Sequence, residues 1–482
     1  MRLIISLPVF GTLATALWPI PVTYEHGDCV LFVREDVVFN WYEAGARNVG
    51  LITDQQLDQF VFSDSDTRHN VQDSITLRKR YTAPSFDNVG CNSSHTGISG
   101  QDIIDHAIKS TWSTIFKHSF YPWKFHPRTW SPPSPSNASS ISEINILVPS
   151  SSNSFAPFAD DIDESYSLAL TTSGIVTITA NTSIGVSHGL TTLTQLLYSN
   201  SDSTQIYTPL APVYITDSPK FPHRGINLDL ARAFMPVSSI KTQIDALAYN
   251  KMNRLHLHIT DSQSWPLVVP TLPELAAKGA YRPGLLYTVK DFDDIQRYAA
   301  LRGVQVITEI DMPGHTASVA YAYPELISAF NIQPNWDTYA AEPPSGTLKL
   351  NSSAVSTFLD KLFDDVLPRV ADYASYFHTG GDEVNKMAYE LDDTVQSNDT
   401  AILQPLMQRF VQENHERVRR KGLTPVVWEE MLLEWNVTLG KDVVVQSWQS
   451  DEAVRQIVEK GYRVLTGNYN YWVSRWVLAG NT

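Results

Sequence analysis

Cysteine is nearly absent: the 482 residues contain two, Cys29 and Cys91. No Cys-x-x-Cys pair and no His/Cys set at ligand spacing occurs, so nothing supports a zinc site and no metal or cofactor is expected. Basic charge is also in short supply. Against 51 Asp and Glu stand 36 Lys and Arg, a net charge of −15. Such a surface repels a phosphate backbone, which sets nucleic acid aside as a partner. Beyond the N-terminus no apolar run approaches the ~18 residues of a membrane span, so none is expected. With 43% hydrophobic and 18% charged residues the composition is that of a globular chain, too long for one ordinary core and read as two or three domains.

What is present begins with Met1-Arg2 and an apolar run from Leu3 to Leu17, with small residues at Ala14-Thr15-Ala16. One basic residue, a short apolar core and a small-residue exit predict a signal peptide over 1–16. The mature chain is then expected outside the cytosol, secreted or delivered to a vacuole. Six Asn-x-Ser/Thr sequons, at Asn92, Asn137, Asn181, Asn351, Asn398 and Asn436, fit that route. In an oxidising compartment Cys29 and Cys91 are expected to form one disulfide, with two buried free thiols as the alternative.

Residues 17–215 mix strand-like runs (Cys29 to Val33, Ile144 to Val148, Tyr166 to Leu170, Ile175 to Thr179) with helical stretches near Asp102 to Phe116 and from Gly189 to Tyr198. They predict an α+β domain. A Pro/Ser tract near 131–140 reads as an exposed linker. From about residue 221 short apolar strands alternate with amphipathic helices. The strands are Gly225 to Leu230, Arg254 to Ile259, Val304 to Ile310, Tyr376 to His378, Pro425 to Trp428, Val443 to Gln446 and Arg463 to Leu465. Such units imply a parallel sheet. A doubly wound sheet is one solution; polar clusters after strand upon strand favour a (β/α)8 barrel, which builds its site at the C-terminal strand ends.

Those clusters carry the chemistry. The fourth strand runs into His378-Thr379-Gly380-Gly381-Asp382-Glu383. Adjacent carboxylates raise each other's pKa, and one raised carboxyl is what a general acid needs. Taken alone, the pair equally describes the first turn of a helix. Other strand ends hold His256-Leu257-His258-Ile259-Thr260-Asp261, Glu309-Ile310-Asp311-Met312-Pro313-Gly314-His315, Trp428-Glu429-Glu430 and Gln446-Ser447-Trp448. Carboxylates, histidines and tryptophans recurring at one end of successive strands suit a sugar, whose C–H faces stack on indole while its hydroxyls hydrogen-bond.

In this order the motifs resemble those of glycoside hydrolase family 20, the β-N-acetylhexosaminidases. They are Arg224-Gly225 with Asp229, His256-x-His258-x-x-Asp261, Glu309-x-Asp311-x-Pro313-Gly314-His315, His378-x-Gly380-Gly381-Asp382-Glu383, Trp428-Glu429 and Gln446-x-Trp448. The region from Asp163-Glu164-Ser165-Tyr166 to Gln195-Leu196 resembles the zincin-like domain that precedes such barrels. The resemblance implies an N-terminal α+β zincin-like domain, then a (β/α)8 barrel over 221–472. It also implies removal of terminal N-acetylhexosamine from chito-oligosaccharides or glycans by a retaining, substrate-assisted route. Glu383 would be general acid and base, and Asp382 would steer the 2-acetamido group. Arg224 would bind the C3 and C4 hydroxyls. Asp261 and His315 would tune Glu383, with His258 and Asp311 as supports, while Trp428 and Trp448 wall the acetamido pocket. Relatives often dimerise, and the sequence leaves a homodimer open.

The likeness fails after Trp472. Family members continue with Tyr-Leu-Asp-Cys-Gly and an eighth strand, whereas this chain reads Val473-Ser474-Arg475-Trp476 and stops at Thr482. Residues 473–482 are therefore expected to be a non-family tail from a retained intron, and the barrel to lack its last β/α unit. That leaves an inactive product or a non-catalytic sugar-binding relative as the second reading.

Overall fold

The computed structural model describes residues 17–44, 76–82, 97–117, 129, 131–134, 139–149, 162–199 and 205–467. The expected signal segment, Cys91, Asn92, Asn137 and the tail 473–482 lie outside them. The described chain divides into two compact units, with the boundary in sequence between Phe221 and Pro222 and residues 249–251 counting with the first.

The first unit contains β1 (Thr23–Ala44), β2 (Thr76–Tyr81), α1 (Gly100–Phe116), β3 (Ser140–Pro149), β4 (Tyr166–Leu170), β5 (Ile175–Ala180), α2 (Ser183–Gln195), β6 (Tyr198–Ser199) and β7 (Ile206–Asp217). One mixed sheet runs β2-β1-β3-β5-β4-β7-β6, and its buried Leu, Ile and Val side chains share a core with both helices. One expectation is corrected here. The helix expected from Gly189 starts six residues earlier, at Ser183, because Thr182 caps it by accepting from Gly185 N–H at 3.1 Å. It ends at Gln195, so Tyr198 belongs to a strand. Cys29 is exposed on β1, and its expected disulfide partner Cys91 lies outside the described residues. The Pro/Ser tract is irregular from Ser131 to Ser134, and β3 already begins at Ser140.

The second unit contains β8 (Gly225–Asp229), α3 (Val237–Tyr249), β9 (Arg254–Thr260), α4 (Glu274–Gly279), α5 (Val289–Ala300), β10 (Gln305–Ile310), β11 (Ile327–Ser328), β12 (Thr347–Leu348), α6 (Ser353–Ala371), β13 (Tyr376–His378), α7 (Thr400–Arg420), β14 (Thr424–Trp428), α8 (Glu429–Leu433), β15 (Val444–Ser447), α9 (Asp451–Glu459) and β16 (Arg463–Thr466). Helix starts follow the caps that the sequence marks. Thr288 and Asp291 close a capping box on α5, and Ser450 caps α9. Ile240, Ile244 and Leu247 are the buried face of α3.

The main sheet is parallel throughout and ordered β8-β9-β10-β13-β14-β15-β16. Neighbours follow chain order with no reversal, which is barrel winding and excludes a doubly wound sheet. Pleat alternation then layers the interior. Ile307, Tyr376, Val426 and Val444 pack as one apolar layer with Leu465 against it. Two residues further along their strands come Glu309, His378 and Trp428, where the interior turns polar.

Candidate active site

Asp382 and Glu383 follow β13 through Gly380 and Gly381. The two glycines are required by space as well as by dihedral angle. Gly380 has φ +69°, and a Cβ there would fall 1.7 Å from Asp311 Oδ1; Gly381 has φ +106°, and its Cβ would meet Met431 at 2.6 Å. Glu383 itself sits at φ +50° and His315 at φ +53°, a region that non-glycine residues enter at a cost of roughly 1–3 kcal/mol. The Asp382 and Glu383 side chains keep 19% and 29% of their surface exposed, so both are reachable while most of the surrounding network is not.

His315 ties the site together. Its Nε2 lies 3.5 Å from Glu383 Oε2 and 3.9 Å from both Asp382 Oδ2 and Asp311 Oδ2, while Nδ1 lies 3.2 Å from Asp261 Oδ1. Against the cost of burial, the carboxylates of Asp261, Asp382 and Asp311 hold this imidazole well above its usual pKa. Its hydrogen bond in turn holds Glu383 below the usual glutamate range. The raised acid expected at the Asp-Glu pair is therefore elsewhere. Burial, then the neighbouring Asp382, push Asp311 well above the carboxylate range. Asp311 Oδ1 accepts from Gly381 N–H at 2.7 Å, while Asp311 Oδ2 and Asp382 Oδ1 are buried without a donor among the described residues. A proton held on Asp311 supplies a donor between the two carboxyls and fits both facts.

Asp261 is fully buried and surrounded by cations. His258 Nε2 donates to its Oδ2 at 2.6 Å, and Arg232 Nη2 lies 2.9 Å from the same oxygen. His258 Nδ1 donates to Glu309 Oε2 at 2.8 Å. Both ring nitrogens face carboxylates, so both carry protons; Glu309 and Asp261 lift His258 well above its usual pKa despite complete burial. Arg232 also pairs with Asp229 at 2.9 Å and Glu342 at 3.0 Å.

The two tryptophans are held by carboxylates. Trp428, almost wholly buried, donates its indole N–H to Glu309 Oε1 at 2.7 Å. Trp448 donates to Glu430 Oε1 at 2.8 Å, an oxygen that also accepts from Gln449 Nε2 at 2.9 Å. Burial, and then the Asp382 charge, push Glu430 up to about 8. Arg224 stands just before β8, at the strand end away from Asp229. Its backbone N–H donates to Asn253 Oδ1 at 2.9 Å and its carbonyl accepts from Asn253 and Arg254.

The structure thus joins Asp261, Asp311, His258, His315, Asp382 and Glu383 in one network, and brings Trp428 and Trp448 to it through buried glutamates. Arg224 is held through its backbone at the opposite end of β8. Sequence reasoning assigned no role to Arg232, Glu309 or Glu430. Asp229-x-x-Arg232 was visible as an ion-pair spacing, and Glu309 and Glu430 stood inside quoted motifs. The four described sequon residues, Asn181, Asn351, Asn398 and Asn436, are all exposed.

A chain-ordered parallel barrel sheet with paired carboxylates and tryptophans at its C-terminal strand ends defines a glycosidase type of site. Comparison with known proteins narrows the class. The model described as glycosyl hydrolase family 20, catalytic domain, matches residues 221–474, and one described as beta-acetyl hexosaminidase like matches 17–196. A beta-hexosaminidase of Arthroderma benhamiae is 38% identical over 479 residues, covering 97% of this chain and 76% of the relative. A chitooligosaccharidolytic beta-N-acetylglucosaminidase of Ostrinia furnacalis is 34% identical over 67% of this chain and 58% of its own. The chain belongs to glycosyl hydrolase family 20. Among solved structures, Flavobacterium johnsoniae chitobiase shares the fold, with TM-score 0.66 at 24% identity, over 94% of this chain and 59% of that one. The chain thus spans less than two thirds of the insect relative and of the chitobiase.

Proposed function

We propose that the protein hydrolyses terminal non-reducing N-acetylhexosamine from N-acetyl-β-hexosaminides, chito-oligosaccharides and glycans among them, with retention. The observation that carries this reading is His315 set against Glu383, with Asp382 beside it and two indoles fixed nearby. Glu383 protonates the glycosidic oxygen. The acetamido carbonyl oxygen attacks the anomeric carbon as the aglycone leaves, giving an oxazolinium ion. Asp382 accepts from the acetamido N–H and opposes the developing positive charge. Glu383, now a base, takes a proton from water as that water opens the ring. Holding the neighbouring amide in place replaces an enzyme nucleophile by proximity. The His315 contact favours the ionised form of Glu383; a sugar seated over it removes water, and burial raises a carboxyl. Arg224 is assigned to the C3 and C4 hydroxyls on the family likeness alone. Secretion with glycans on the exposed sequons belongs to the same reading.

The test is release of 4-nitrophenol from 4-nitrophenyl N-acetyl-β-glucosaminide by the purified chain. Glu383→Gln is expected to lower kcat by about 10²–10⁴ and Asp382→Asn by about 10²–10³. A parent chain with no activity, or variants that keep it, would sink the proposal.

A further inference from the structure

Glu309 lies on β10, is wholly buried, and has no place in the steps above. Its surroundings are nonetheless built with care. Oε1 accepts from Trp428 Nε1 at 2.7 Å; Oε2 accepts from His256 Nε2 and His258 Nδ1, each at 2.8 Å. His378 Nδ1 lies 3.3 Å from Oε1 but already accepts from Gly380 N–H at 2.9 Å, so it is no donor to Glu309. Its ring stacks on His256 with centroids 4.9 Å apart and leans against Trp428 at the same distance. An unpaired buried carboxylate is severely destabilising. Here three N–H groups from β9 and β14 satisfy it, and each is thereby fixed in orientation.

Two of those donors lead to the pocket. The family likeness assigns the indole of Trp428 to a wall of that pocket. His258 passes to Asp261 at 2.6 Å, Asp261 to His315 at 3.2 Å, and His315 to Glu383 at 3.5 Å. Charges alternate along this line from the barrel interior to the acid. The groups that face Glu309 are His256, His258, His378 and Asp311; those that face Glu383 are His315, Arg232 and Asp261.

We propose that Glu309 is a positioning residue for the hydrolysis proposed above, one buried carboxylate that fixes the Trp428 wall with one oxygen and orients His258 as a double donor with the other. The inference rests on that functional reading, yet half of it can be measured without activity. Glutamine at 309 keeps the shape, but its amide cannot accept from Trp428 and from both histidines at once.

In the full chain, Glu309→Gln is expected to move the Trp428 indole N–H resonance, assigned by its loss in Trp428→Phe, and to speed its hydrogen exchange at least tenfold. With 4-nitrophenyl N-acetyl-β-glucosaminide, KM should rise as in Trp428→Phe and kcat should fall as in His258→Gln. Each double variant should add less than twofold to the matching single effect, because both act through one group. An unmoved indole resonance in a folded variant overturns the proposal whatever the activity, and so do effects on KM and kcat that simply multiply. Activity missing from the parent chain, with the indole still released in Glu309→Gln, would fault the functional reading and not the contact. Should Glu309→Gln fail to fold, Glu309→Asp keeps the charge with a shorter reach. It should free the Trp428 indole while His258 stays doubly protonated, read by its ring nitrogen shifts; an indole still bonded then rejects the proposal.

Discussion

His315 Nε2 lies 3.5 Å from Glu383 Oε2, and the opposite ring nitrogen lies 3.2 Å from the buried carboxylate of Asp261. One imidazolium therefore links the half-buried Glu383 to a charge that water cannot reach. This contact holds the Glu383 carboxyl below the usual glutamate range, although its partial burial pulls the other way. His315→Asn removes the cation. The Glu383 carboxyl should then hold its proton to higher pH, and the alkaline limb of kcat should move upward while the maximal rate falls. An alkaline limb that stays put or moves down would show that another group sets it.

Glu430 bears on stability. Its folded pKa of about 8 lies above the ordinary 4.5, so across that window the folded protein binds more protons than the unfolded chain, and stability falls as pH rises. Glu430→Gln is always neutral and keeps an oxygen for Trp448. Its melting temperature relative to the parent should therefore improve steadily between about pH 5 and pH 8 and level off above. A difference independent of pH would mean that Glu430 ionises normally.

The turn before the acid pair makes a third test. At Gly380 an added Cβ meets Asp311 Oδ1 at 1.7 Å with φ +69°, while at Gly284, φ +91°, a Cβ meets nothing within 4 Å. Gly284→Ala carries only the dihedral cost, roughly 1 kcal/mol. Gly380→Ala adds a clash with a buried carboxyl and should cost at least about 2 kcal/mol more, with activity lost even where the chain folds. Equal unfolding midpoints in urea for the two variants would contradict the packing described here.

Much of the barrel was legible because its strands are short apolar runs bounded by polar clusters; Tyr376–His378 agrees to the residue and the other six to within a residue or so. The α2 start was not, since Val186, His188 and Thr192 are buried with the leucines and blur the periodicity of a helix enclosed on most sides. At the site, residue types and order named the pair Asp382 and Glu383. They did not reveal which carboxyl would be raised. That follows from Asp311, brought from another strand to face Asp382, and from His315 turned toward Glu383. Arg232, Glu309 and Glu430 stayed silent for the same reason: the role of a buried charge is set by donors and acceptors on neighbouring strands.

The central claim is that the substrate's own acetamido oxygen is the nucleophile, steered by Asp382 and served by Glu383. The most direct measurement compares kcat for the 4-nitrophenyl β-glycosides of N-acetylglucosamine and N-trifluoroacetylglucosamine. Fluorine withdraws electron density from the attacking carbonyl, so a fall of about a hundredfold or more is expected, within the range that a well-placed neighbouring group supplies. Equal rates for the two substrates would contradict the account.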